Sequence, residues 1–178
     1  MSSRIAGVTE VVSPHGGTLV NRQVSDQDTE AFLESAKGLP RVSLNPRQAS
    51  DAEMLAIGAF SPLEGFMGEA DYREGVASMH LASGPAWPMP VTLAVEENVA
   101  QGIRDGSEVA LEDAGGALLG TMLVQERFRY DKEAEARHVF GTTDEAHPGV
   151  ANVYSQGPIL LGGPIKVLGV PAEKLHFP

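Results

Sequence analysis

After Met79 the apolar residues of this chain change their spacing, from about every 3.6 positions to every second one, so helices come early in the fold and strands late. Before that point three stretches carry helical stripes. After Ser25 and Asp26, the residues Phe32, Leu33, Ala36 and Leu39 fall on one helical side, and Gly38 with Pro40 closes the element. The second stretch starts more sharply. Asn45 is an N-cap, Pro46 takes the first helical position, and Gln48 stands where a capping box needs it. Its inner side is Ala49, Ala52, Leu55 and Ala56, with Gly58 as the stop. The third begins at Glu69 and aligns Tyr72, Val76 and Met79. All of these stripes are expected to face a core.

Beyond Met79, Pro88 and Pro90 impose an extended approach to VTLAV, where Val91, Leu93 and Val95 alternate with smaller neighbours. SEVAL is expected as a strand, Asp113 to Gly116 as a tight turn, and ALLGTMLVQERFRY as one long partner strand. In that partner Met122, Val124, Phe128 and Tyr130 share one face, while Gln125, Arg127 and Arg129 share the other. One buried and one wet face suit a curved antiparallel sheet or small barrel. Asp131 caps a helix, DKEAEARHVF, which Gly141 closes; after a loop, PILLGGPIKVLGV supplies a last strand or pair. With no regular βαβ alternation the class is α+β, and 178 residues suit one domain.

The chain offers little chemistry of its own. Its formal net charge of −11 repels phosphate backbones and anionic membranes alike. The absence of cysteine removes disulfides, thiolate zinc sites and Cys nucleophiles. No apolar run approaches the roughly 18 residues that span a bilayer, and the N-terminus lacks a signal-like apolar core, so a cytoplasmic protein is expected. Neither a P-loop nor a G-x-G-x-x-G between strand and helix is present. SPHGG, Ser13 to Gly17, is the nearest thing to a phosphate loop and reads more simply as a turn; the role of His15 stays open. The histidines His15, His80, His138, His147 and His176 show no i, i+4 pairing. No serine sits in a nucleophile elbow, and Glu96 and Glu97 are adjacent, which splays them on a helix. No catalytic residue, cofactor site or metal ligand is therefore assigned. In GAFSPLEGFMGEADY, Gly58 to Tyr72, the apolar Phe60, Leu63, Phe66 and Met67 stand among Gly58, Pro62, Gly65 and Gly68. Such a segment continues neither helix nor strand; its aromatics either plug the domain's own core or form an interface with another domain.

Three long motifs go further: LNPRQASDAEMLAIGAFSPLEGFMGEADY, LASGPAWPMPVTLAV, and RYDKEAEARHVFGTTDEAHPGVANVYSQGPILLGGPIKVL. Together with the opening SPHGGTLVNR, and in collinear order from about Ser13 to Leu168, the sequence resembles the N-terminal domain of the ATP sulfurylase (sulfate adenylyltransferase) family. The resemblance implies a PUA-like small antiparallel β-barrel decorated with short helices over residues 1–170, with residues 171–178 leading toward a catalytic domain. It also implies the family reaction, ATP plus sulfate giving adenosine 5′-phosphosulfate and pyrophosphate. In full-length members a following nucleotidyltransferase domain performs it, with a Q-x-R-N-P and an H-x-G-H segment. Neither segment occurs here, and Arg47 in LNPRQ has the order reversed and does not inherit a role.

The expectation is a structural and docking domain, inactive alone, that meets the catalytic domain in cis or in trans. Its candidate contact residues are Phe60, Phe66, Met67, Leu175 and Phe177. Family members are commonly homo-oligomers, which makes a homo-oligomer a further expectation. The alternative is a free-standing PUA-like binding module for RNA or a small ligand. Its basic surface would have to be Arg127, Arg129, Lys132 and Arg137, but Asp131, Glu133 and Glu135 interleave with these, and Glu133 with Arg137 makes an i, i+4 pair.

Overall fold

A computed structural model describes residues 12–169. In chain order the elements are α1 (Thr29–Ser35), β1 (Arg41–Ser43), α2 (Pro46–Ala56), β2 (Gly65–Phe66), α3 (Glu69–Ser78), β3 (Leu93–Val95) and α4 (Glu97–Gln101). There follow β4 (Ser107–Glu112), β5 (Leu118–Val124), β6 (Glu126–Arg129), α5 (Lys132–Phe140), α6 (Pro148–Ser155) and β7 (Ile159–Val167).

The last strand is the hub. One edge of β7 pairs with β6 at Ile159–Gly162 and with β5 at Ile165–Val167; the other pairs with β3 at Ile159–Leu161 and with β2 at Gly163–Pro164. β4 extends the sheet beyond β5, and β1 lies parallel to β4 as the only parallel neighbour among the named strands. The result is a curled, mostly antiparallel half-barrel with short helices around it, the PUA-like α+β arrangement expected. Its core comes from both halves of the sequence: Leu55, Phe66, Leu93, Val109, Met122, Leu160, Leu161 and Ile165 are all buried.

The local signals explain the early helices. Asn45 accepts from the Gln48 amide at 2.9 Å while the Gln48 side chain accepts from the Asn45 amide at 3.0 Å, a complete capping box. Asp131 accepts from the Ala134 amide at the start of α5, and Gly141 closes that helix at φ 72°. The stripes need two corrections. α1 ends at Ser35, short of Leu39, and buries Phe32 with Ala36 just past its end, which leaves Leu33 exposed. Met79 leaves the α3 stripe because it ends the helix in the left-handed region, at φ 60°, and points its side chain to solvent.

The long strand expected over ALLGTMLVQERFRY is two strands, β5 and β6, interrupted at Gln125. The interruption lies beside Gly163 of β7, whose φ of 149° bends the hub strand and brings it against the Leu123 carbonyl. The stretch before the last strand is a helix, α6, not a loop: His147 caps it, its Nδ1 accepting from the Gly149 amide at 3.2 Å, and Pro148 opens it.

Candidate functional site

The segment Gly58 to Tyr72 is where function was most expected, and its apolar residues separate. β2 lies so close to the hub that a side chain on Gly65 would meet the Gly163 carbonyl. The Met67 amide donates to the Val91 carbonyl at 3.0 Å. Phe66 and Met67 are thereby drawn into the core, each 2% exposed. They cannot form part of an exposed contact patch; burial against β7 and Val91 takes both. Phe60 is only half-buried and meets Trp87 edge to face, with ring centroids 5.9 Å apart. Leu175, Phe177 and His176 lie outside the described residues.

The SPHGG turn is tied to the same place. His15 Nε2–H donates to the Ala86 carbonyl at 2.8 Å, and the His15 ring stands 6.0 Å from that of Trp87. Gly16, at φ 73°, sits directly against Pro62. His15 is thus a clamp that holds the loop on the 79–90 ribbon. Two other histidines are similarly occupied, His80 Nδ1–H donating to the Ser78 carbonyl and His147 capping α6, while His138 lies exposed on α5. Among the described residues no group of three or more His, Asp or Glu side chains is arranged to hold a metal ion.

The cations are held by neighbours. Arg127 reaches Asp105 at 2.6 Å, Arg129 reaches Glu97 and Arg137 reaches Glu133, each at 2.5 Å. Lys132 donates to the carbonyls of Tyr154 and Gln156. A cleft of about 450 Å³ over β6 and α5 is lined by Tyr72, Val76, Phe128, Arg73, Arg129 and His138. Its two arginines are bound to Glu69 and Glu97. Of the cluster that a nucleic-acid module would need, the three arginines are each paired with a carboxylate and Lys132 is held by backbone carbonyls, which weakens its pull on a phosphate.

The one buried carboxyl group among the described residues lies beneath that cleft. Glu135, 7% exposed, accepts from the Tyr72 hydroxyl at 2.7 Å, and the rings of Tyr72 and Tyr130 stand edge to face at 5.8 Å. Burial pushes the Glu135 carboxyl above its ordinary range, while the Tyr72 hydrogen bond and the charges of Arg47 and Lys132 pull it back. Burial and the nearby carboxylate also raise Tyr72 and Tyr130, so both stay as neutral phenols. The arrangement ties α3, α5 and β6 together. Arg47 lies 3.9 Å from Asp51, and its charge is felt at Glu135. Sequence reasoning missed this knot, because Tyr72 and Glu135 are 63 residues apart and nothing local links them.

Residues 12–170 match the family model of the PUA-like domain. Over 160 residues, 90% of the chain, the sequence is 54% identical to a sulfate adenylyltransferase of Symbiobacterium thermophilum, of which it covers 41%. It is 47% identical over 94% of its length to a sulfate adenylyltransferase of Synechococcus elongatus, covering 42% of that protein. The chain thus spans about two-fifths of the length of these curated relatives. Among solved structures, a hexameric APS kinase from Thiobacillus denitrificans superposes with a TM-score of 0.67 at 27% identity, over 90% of this chain and 27% of that one. No helix among the described residues is long and apolar enough to cross a membrane.

Proposed function

The chain belongs to the PUA-like domain family, in the form that sulfate adenylyltransferases carry, and on that premise we propose that it is the N-terminal structural and docking domain of such an enzyme. The observation that carries the reading is the 54% identity sustained over 90% of the chain against only 41% of the relative. Residues 1–170 form the domain and residues 171–178 begin the connection to a nucleotidyltransferase part, which converts ATP and sulfate to adenosine 5′-phosphosulfate and pyrophosphate. The domain works in the cytoplasm, and the assembled enzyme is a homo-oligomer. Its own contribution is support: it presents a rigid half-barrel and leaves the polyanions to the other part. Holding a triphosphate beside a sulfate takes several unpaired cations in one place, and here Arg127, Arg129 and Arg137 each already face a carboxylate.

The test is an assay of phosphosulfate formation with the 178-residue chain alone, with the nucleotidyltransferase part alone, and with both. The expected result is no turnover by the chain above a heat-killed control, and a rise in activity when the two are combined. Turnover by the chain alone would falsify the scaffold role.

A further inference from the structure

Charged residues make up 21% of the chain, yet residues 12–20, 54–63 and 75–95 contain no Asp, Glu, Lys or Arg. The fold brings these three segments together. The Val20 amide donates to Ser61 Oγ at 2.9 Å, Leu19 lies against Gly58 and Gly16 against Pro62. His15 and Phe60 both flank Trp87, the single tryptophan, and the Trp87 amide donates to the Met79 carbonyl at 2.6 Å. Of the seven large apolar side chains exposed among the described residues, five belong to these segments: Val12, Leu19, Ile57, Met79 and Met89. Met79 is 52% exposed and stands in a left-handed conformation that a methionine adopts only at some cost. The three segments carry no charge of their own, and Asp71 stands at their margin, accepting from the Ala82 amide at 2.9 Å; with tryptophan and two exposed methionines, they have the composition of the desolvated centre of a protein interface.

The hydrogen bonds also place this face beside the point where the described chain leaves the fold. Arg22 donates its amide to the Ala56 carbonyl at 2.9 Å and accepts from the Val167 amide at 3.0 Å. The end of β7 is therefore one short segment away from Ile57. In the relatives, about three-fifths of the polypeptide lies outside the matched part. A large body attached just past Leu168 emerges at the margin of the uncharged face. The remaining surface of a chain with a net charge of −11 would oppose an acidic neighbour; this face lets a neighbour approach without stripping water from ions.

We propose that the face formed by Leu19, Ile57, Phe60, Met79, Trp87 and Met89 is the surface on which the catalytic part of the sulfate adenylyltransferase docks. The inference rests on the reading of the chain as a docking domain and replaces Phe66 and Met67 in that role with residues that reach solvent.

Methionine oxidation by dilute peroxide, read by peptide mass spectrometry, tests it with reporters already in place. In the isolated chain Met79 and Met89 oxidise quickly, while the buried Met67 and Met122 serve as slow internal controls. The same measurement is made on this chain joined to the part of the Symbiobacterium thermophilum enzyme that lies outside the match. There, oxidation of Met79 and Met89 slows about tenfold or more, with Met67 and Met122 unchanged. A fusion that is active and unfolds in one step but leaves Met79 and Met89 as reactive as before overturns the docking face and spares the docking-domain reading. Slow oxidation in the isolated chain that speeds up on dilution assigns the face to a second copy. Slow oxidation at every concentration assigns it to this chain's own residues 1–11 or 170–178; either result overturns the proposal. An inactive fusion, or one that unfolds in two independent steps, overturns the docking-domain reading and the inference with it.

Discussion

Tyr72 and Glu135 meet at a 2.7 Å hydrogen bond where little water reaches, and the burial of that carboxyl couples the fold to pH. Burial raises the Glu135 carboxyl above its ordinary value of 4.5, so the folded state favours the protonated form. Its stabilising contribution is fully present below that value and is lost as pH rises through the raised one. Asp51, also raised by burial with Arg47 opposing, acts in the same direction. Glu135→Gln keeps an acceptor for the Tyr72 hydroxyl and cannot ionise. Urea titrations from about pH 4 to about pH 8 should show a flatter decline for this variant than for the parent, and an unchanged slope would mean that Glu135 is not the group responsible. Tyr72→Phe leaves the buried carboxyl without its donor and is expected to cost about 1–3 kcal/mol. Met79 gives the opposite sign: Met79→Asn, better suited to a left-handed cap, is expected to raise stability by about 1 kcal/mol in thermal unfolding.

At the scale of elements, what the sequence made legible was what neighbours in sequence decide. Asn45, Pro46 and Gln48 announce α2 because a capping box closes within one turn, and Asn45→Ala is expected to lose about 1 kcal/mol. Tyr72 and Val76 were readable as an inner face for the same reason. Three features were not readable. α6 starts from a histidine, an uncommon cap, and the Pro and Gly that open PGVANVYS mask the short stripe of Val150, Val153 and Tyr154. The break at Gln125 is dictated by Gly163, on another strand 38 positions on in the sequence. Phe66 and Met67 look like interface residues because only the close approach of Gly65 to the hub reveals that they turn inward. Gly163→Ala tests that crossing. A methyl there collides with the Leu123 carbonyl at a φ that side chains avoid, so a loss of about 3 kcal/mol or more is expected, read as a lowered urea midpoint or failure to fold.

For the molecule as a whole, the ion pairs matter more than the net charge. Arg127, Arg129 and Arg137 are each matched by a carboxylate, and nitrocellulose filter binding at low salt is expected to retain no single-stranded RNA. Retention that falls steeply with added salt would restore the nucleic-acid reading. On the docking-domain reading, the proposed face rather than the cleft over β6 and α5 is where this body would meet another protein. The hub strand adds a constraint in time. β2, β3, β5 and β6 all wait for residues 159–167 before they have a partner on that side. On a ribosome, nearly the whole domain must be synthesised before its sheet can close, so the growing chain spends most of its translation with strand edges open to chaperones.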